Sequence, residues 1–388
     1  MREATRVSAL YFFFFTFLGI YAPFASPYYA SLGLSGPEMG IIGAVLPIAA
    51  AFIPPLWGAI ADRLGQTTRP LQVALWGACV MLLPFPFART FAPLFAVLVG
   101  YGLFRNGIVP LLDSLTLTLT ERIGGEYGRI RSWGSIGFLV ASVAVAFAAD
   151  AGWQGAVVWG MVGTQLVAAL ASVGLPRAPR DRASNLIADL RELLTRPLFI
   201  RLLVVSALVQ VGSFGPLFFY PTHMRELGLS NVLLGAFWWT GVLAEVVLFR
   251  VAPRVIARIG LGALFVLSPL TTATRWAVPL VTDLPWVVIA AQSLHALSFG
   301  GLYYAAVTWL AQAVPLRLRA SGQSLYAAVA FGIGGGFSTL VSGWIVESWH
   351  IEGVLWLGVA ASLAALALCR PVVAVMQRSG VEVAGHRS

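Results

Sequence analysis

Lysine is absent: all 25 basic residues of this 388-residue chain are arginine. A loop that cradles nucleotide phosphates needs a lysine after its glycines and a strand before them. The glycine-rich run Phe331-Gly332-Ile333-Gly334-Gly335-Gly336 has neither, so ATP-driven chemistry is disfavoured and the run is expected to serve close helix packing, with small residues four apart at Gly332 and Gly336. Cysteine is scarce too. Cys79 and Cys369 both lie in apolar runs, with no ligand spacing and no loop position that favours a disulfide, so they are expected to pack. No HExxH stretch, paired carboxylate or Cys/His cluster occurs, which argues against an integral membrane enzyme and calls for no metal and no cofactor. Charge is the most telling shortage. With 11% charged residues against 59% hydrophobic ones and a mean hydropathy of +0.84, the chain is too apolar to hide its side chains in one soluble core.

What is present is a series of apolar runs of the length that crosses a bilayer. Twelve spans are expected, from Val7–Leu32 to Ile351–Val375, with Pro285–Ala313 as span 10 and Gly322–Val346 as span 11. The first run follows Arg2 and Arg6 in the manner of a secretion signal. It is longer than the usual signal core and leads straight into a second span, so an uncleaved first helix is expected. A pI of 10.1 raises the question of nucleic acid, and the placement of the arginines answers it. They punctuate the apolar runs instead of gathering on a polar face; 21 fall on one side of the spans and only Arg89 and Arg225 on the other. The positive-inside rule makes the arginine-rich side cytoplasmic, together with both termini, in a bacterial-type inner membrane. Nucleic acid is therefore not an expected partner.

The polar stretch Pro176–Pro197 divides the spans six and six and carries a short amphipathic helix around Asn185–Leu194. Expected domains are thus residues 1–175, a cytoplasmic linker at 176–197, and residues 198–388. The halves echo one another at an offset of 195: Leu32-Gly33-Leu34-Ser35 returns as Leu227-Gly228-Leu229-Ser230, Gly40 as Gly235, and Arg63-Leu64-Gly65 as Arg258-Ile259-Gly260. Six spans per half keep both halves in one orientation, so the repeat is parallel.

Twelve spans, a central linker and parallel halves resemble the major facilitator superfamily of transporters. The loop Gly58-Ala59-Ile60-Ala61-Asp62-Arg63-Leu64-Gly65 is similar to that family's G-x-x-x-D-R-x-G motif, although Gln66 and Thr67 stand where basic residues usually follow. In that family such an aspartate can latch the cytoplasmic side, which makes Asp62 and Arg63 gating candidates. Within the superfamily the chain resembles the phenylpropionate permease group, related to the lactose permease and the nucleoside/proton symporters. The resemblance rests on Pro110-Leu111-Leu112-Asp113-Ser114, on Tyr127-Gly128-Arg129-Ile130-Arg131-Ser132-Trp133-Gly134-Ser135-Ile136-Gly137, on Val242-Leu243-Ala244-Glu245, on Arg275-Trp276, and on Gln292-Ser293-Leu294-His295-Ala296-Leu297-Ser298-Phe299-Gly300. It implies an all-α membrane fold of two six-helix bundles. In lactose permease relatives a glutamate of the proton site follows the matching histidine by one turn, where this chain has Ser298, so any carried proton must rest mainly on Glu245.

Ionisable groups inside the hydrocarbon are costly unless paired or facing a cavity, and so mark functional sites. They are Arg105, Asp113, Glu245, Arg275 and His295. Counting helical rise from the external end puts Arg275, His295 and Glu245 at roughly 9, 15 and 21 Å on three consecutive spans. A carboxylate, a guanidinium and an imidazole in sequence suit a proton relay, and His295 at a watery cavity could equally bind substrate; the plainer alternative is a neutral His295 tying span 10 to a neighbour. Arg105 needs an anion. Asp113, eight residues on, is poorly aligned with it, which leaves a substrate carboxylate, a carbonyl or Glu245. Asp113 is expected near the cytoplasmic gate with Arg129 or Arg131. Aromatic side chains that could line a pocket for a flat solute are Tyr28, Tyr29, Trp238, Trp239, Tyr303 and Tyr304.

The expected function is secondary active transport: proton-coupled uptake of a small organic solute, foremost an aromatic carboxylate, by a monomer. A nucleoside or sugar permease, an exporter, and a transporter-like sensor are the alternatives.

Overall fold

The computed structural model describes residues 2–123, 126–153, 155–176, 178–179, 186–374 and 376. Among these there is no strand; an isolated bridge joins Gln66 and Pro179. The helices are α1 Arg2–Ser31, α2 Gly36–Leu64, α3 Thr68–Leu82, α4 Phe91–Ile123, α5 Tyr127–Asp150, α6 Ala156–Ala171, α7 Leu186–Leu194, α8 Pro197–Glu226, α9 Asn231–Val281, α10 Pro285–Ala291, α11 Leu302–Ala313, α12 Arg319–Ala327 and α13 Gly335–Leu368. Two of these are each a pair of helices. Gly260 (φ 78°) divides α9, and Trp349 with His350 (φ 52°) divides α13. Among the described residues nine stretches are long and apolar enough to cross a membrane. The other three of the twelve expected passages are α6, at 16 residues, the interrupted span 10, and the second part of α13.

Local chemistry explains the boundaries. Ser35 caps α2 in a reciprocal box with Glu38, and Gly65 ends that helix in the left-handed conformation (φ 60°). The offset of 195 reappears in the backbone: Gly33 (φ 78°) matches Gly228 (φ 75°), and Gly65 and Gly260 share a positive φ, though their ψ angles differ (22° and 162°). Only glycine takes these angles without strain, which is why the glycines recur with the fold. The second copy of the capping box is incomplete. Ser230 Oγ accepts from Leu233 N, yet Leu233 stands where Glu38 would be. Asp150, at the end of α5, supplies the missing carboxylate, accepting from Asn231 N at 2.9 Å and Val232 N at 3.0 Å.

The chain forms two compact units: Met1–Ala183 with Pro221–Gly235, and Ser184–Tyr220 with Ala236–Ser388. In the first unit α1 and α5 touch backbone to backbone. A Cβ at Gly19 would lie 2.2 Å from the Phe138 carbonyl oxygen, and one at Gly137 2.2 Å from that of Phe12. In the second unit Phe199, Phe265, Trp309 and Tyr326 anchor a buried cluster that also takes in Leu193 of α7. The linker helix was expected at Asn185–Leu194 and is found as α7. Residues 177 and 180–185 of the linker lie outside the described residues, as do Arg378 and Arg387. Asp189 of α7 accepts from Ser321 Oγ at 2.9 Å, and Arg317 donates to Glu192 at 2.5 Å, so the helix docks on the segment before span 11.

Span 10 is not the unbroken helix that its hydropathy suggests. α10 gives way to a 3-10 turn at Gln292–Leu294, then to a π-helical stretch at Ala296–Gly301, before α11 resumes. Span 11 has a second π-helical stretch at Ala328–Gly334. Such irregular turns change which side chains face a neighbouring helix, and they gather at functional sites.

Candidate functional site

Three polar side chains meet inside the second unit. Glu245 projects from the first part of α9, Arg275 from the second part, and His295 from the junction between the 3-10 and π stretches of span 10. Arg275, only 2% exposed, donates from Nη1 to His295 Nδ1 at 2.9 Å, and His295 Nε2 lies 3.7 Å from Glu245 Oε2. The Arg275 guanidinium also lies 4.5 Å over the Trp276 ring and donates from Nε to Gln292 Oε1 at 2.6 Å. Glycines let these helices approach. A Cβ at Gly241 would come within 3.1 Å of His295 Cβ, and one at Gly300 within 3.1 Å of Glu245 Cγ. The outcome is a row of cation, imidazole and carboxylate, buried at Arg275 and partly exposed at His295 and Glu245.

Rings continue from the histidine. Phe299, one turn on, stacks on His295 with centroids 5.1 Å apart and planes 15° from parallel. Phe331, in the π-helical part of span 11, meets Phe299 at 5.3 Å, and Tyr303 and Tyr326 close the row around it. Tyr304 packs instead on Phe249. Trp238 and Trp239 are half-buried in the first part of α9.

The first unit holds a different constellation. Arg105 lies over the Phe14 and Phe17 rings at 5.4 and 5.7 Å, and its Nε is buried without a hydrogen-bond partner. No ion pair to Arg105 exists among the described residues. Tyr29 is fully buried and Tyr28 half-buried, their rings 5.9 Å apart. Asp113 does not pair with Arg105, in keeping with the helical geometry, nor does it form an ion pair with Arg129 or Arg131. It accepts from the Tyr11 hydroxyl at 2.5 Å, while the Arg131 guanidinium sits over the Phe15 and Tyr11 rings. Tyr11 thus lies between the acid and the base, and packing on rings replaces the expected ion pair. Arg129 and Arg63 are exposed, and Asp62 is half-buried in the last turn of α2.

A family model described as "MFS_1 like family" matches residues 4–356. The chain is a major facilitator superfamily transporter of this family. A maltose permease from Geobacillus stearothermophilus is 31% identical over 350 residues, 89% of this chain and 88% of that one. The "Probable 3-phenylpropionic acid transporter" of Escherichia coli (strain K12) is 28% identical over 398 residues, 96% of this chain and 98% of that one. In fold the chain is similar to a crystal structure of a mutant of the nucleoside transporter NupG, with a TM-score of 0.82 at 18% identity, covering 95% of this chain and 99% of that one. Membership of the superfamily makes this a multi-pass membrane protein that moves small molecules, and its relatives and structural neighbours are transporters, not enzymes.

Three residues beside this transporter's polar chain escape a search for ionisable groups: Gln292, Phe299 and Phe331. The fully buried Gln292 carried a signal, an amide one turn before His295 in an apolar run. Phe299 shares its helix face with His295 at a four-residue spacing. Phe331 had no local signal, because a tertiary contact between two irregular turns brings it there.

Proposed function

We propose that this transporter takes up a small aromatic carboxylate together with a proton, by alternating access. The observation that carries this reading is the Arg275–His295–Glu245 row, with Arg275 buried at its end. With Glu245 ionised its charges cancel; with Glu245 protonated the Arg275 cation is left uncompensated in a low-dielectric setting, which favours arrival of an anion. Proton and carboxylate would then help one another to load. Arg105 supports the same reading from the first unit, as a cation on an aromatic face without a carboxylate partner among the described residues. Tyr28, Tyr29, Trp238, Trp239, Tyr303 and Tyr304 would supply flat apolar lining, and Asp62, Arg63, Asp113, Arg129 and Arg131 the gating groups. The proposed halves are residues 1–175 and 198–388, joined by a linker at 176–197, in a monomer of the inner membrane with both termini cytoplasmic.

A second reading, a neutral sugar or nucleoside, draws support from the maltose permease relative and the nucleoside transporter's similar fold. Thermal stabilisation of the purified protein by 3-phenylpropionate, maltose and uridine separates the two. The acid should stabilise the wild type and lose its effect in Arg105→Gln. Stabilisation by maltose or uridine alone would replace the carboxylate reading with the second one.

A further inference from the structure

Gln292 is fully buried and both ends of its amide are engaged: Nε2 donates to the Val288 carbonyl at 3.1 Å, and Oε1 accepts from Arg275 Nε at 2.6 Å. Arginine can only donate, so the amide oxygen must face it. This bond fixes the plane of the guanidinium and directs Nη1 to His295 Nδ1 at 2.9 Å. Because the guanidinium keeps its protons, Nδ1 must accept, and the single proton of a neutral imidazole then sits on Nε2. Nε2 is the atom that faces Glu245 Oε2 at 3.7 Å. The ring plane is held independently by Phe299, stacked at 5.1 Å. The charged and titratable groups that face His295 are Arg275 from the second part of α9 and Glu245 from its first part; Gln292 joins them from the histidine's own span.

We propose that Gln292 is a positioning residue which, by orienting Arg275, holds His295 as the Nε2–H tautomer, so that His295 turns a fixed N–H toward Glu245 and Glu245 alone takes up the transported proton. This rests on the proton-coupled reading above. A second proton on Nδ1 would point an N–H at an N–H of a cation, so the ring does not titrate while Arg275 is in place. His295 therefore presents its Nε2–H to Glu245 across 3.7 Å, longer than a hydrogen bond, without competing for the proton.

Solid-state 15N spectra of histidine-labelled protein in lipid bilayers read the tautomer directly. The chain has four histidines, and the His295 signals are found by difference from His295→Gln. The wild type should show neutral His295 with Nε2–H throughout about pH 5.5 to 8, a range in which free imidazole titrates. Gln292→Leu should mix the tautomers and bring in an imidazolium signal on the acid side. Gln292→Glu, whose carboxylate also accepts from Arg275 Nε, should keep the wild-type form. A wild-type imidazolium or Nδ1–H signal overturns the proposal whether or not the variants fold, and so does a Gln292→Leu spectrum identical to wild type. Uptake is scored separately. A locked tautomer without pH-driven uptake would sink the coupling reading; pH-driven uptake with an unlocked tautomer would sink the role of Gln292.

Discussion

Gly241→Ala and Gly300→Ala add the same methyl group on either side of the Glu245–His295 contact, with unequal expected outcomes. Both new Cβ atoms would meet their nearest neighbour at 3.1 Å. Carbon atoms rest at about 3.5–4.0 Å, so each contact must open by roughly 0.5 Å. At Gly241 the neighbours are His295 Cβ, His295 Cγ and the Gln292 carbonyl oxygen, so the backbone of span 10 itself must move. That overpacking costs about 1–3 kcal/mol, against roughly 0.5–1 kcal/mol returned by the better helix former, for a net loss of up to about 2.5 kcal/mol. It also widens the His295–Glu245 separation beyond its present 3.7 Å. At Gly300 the nearest neighbour is Glu245 Cγ, part of a flexible side chain that can swing aside for about 0.5–1.5 kcal/mol, leaving the balance near zero. Thermal unfolding of the purified variants, with solute uptake at several pH values, reads both effects. Gly241→Ala should be less stable and take up less solute at every pH, with Gly300→Ala close to wild type in stability. If Gly241→Ala unfolds like wild type, or Gly300→Ala is the more damaged, backbone stiffness does not set this contact.

Other outcomes follow from the helix ends, the linker and the α1–α5 crossing. Asp150→Ala should remove roughly 0.5–2 kcal/mol of cap at the start of α9. Leu233→Glu in that background should restore most of the lost thermal stability by completing the box that Ser35 and Glu38 form in the first half; no recovery would mean that Asp150 acts otherwise. The exposed Glu192 carboxylate is held below its ordinary value chiefly by the hydrogen bond from Arg317. A depressed acid contributes stability above its unfolded pKa and loses it as the pH falls through the folded one, so the hydrogen-exchange protection of 186–194, relative to the intrinsic rate at each pH, should fall on acidification below the ordinary carboxylate range of about 4. Arg317→Gln should lower that protection at neutral pH and flatten its acid dependence; unchanged protection refutes the docking role. Gly137→Ala drives a methyl to 2.2 Å from a backbone oxygen that cannot rotate away, so it should cost more thermal stability than Gly163→Ala, which meets nothing within 4 Å.

The parts of this fold legible in the sequence are those governed by local rules. Gly33, Gly65, Gly228 and Gly260 each need a left-handed backbone, and their spacing exposed the repeat. Arg275, His295 and Glu245 stood out because lipid tolerates so few such groups, and counting depth along helices placed them on adjacent spans at compatible heights. What stayed hidden was set by tertiary contact. The π-helical stretches at Ala296–Gly301 and Ala328–Gly334 have the same hydropathy as ordinary helix, so nothing in composition separated an i,i+5 turn from an i,i+4 one. The partner of Asp113 was missed for a related reason: Tyr11 lies 102 residues away, and an arginine packed on its ring left the carboxylate to the hydroxyl.

The most direct test of proton coupling is accumulation of 3-phenylpropionate in proteoliposomes under an imposed gradient, acidic outside. Wild-type protein should concentrate the acid above equilibrium and lose this on collapse of the gradient. Glu245→Gln should still exchange labelled for unlabelled acid while failing to concentrate it. A Glu245→Gln protein that concentrates the acid as wild type does, or a wild type whose accumulation ignores the gradient, would contradict the coupling role of Glu245.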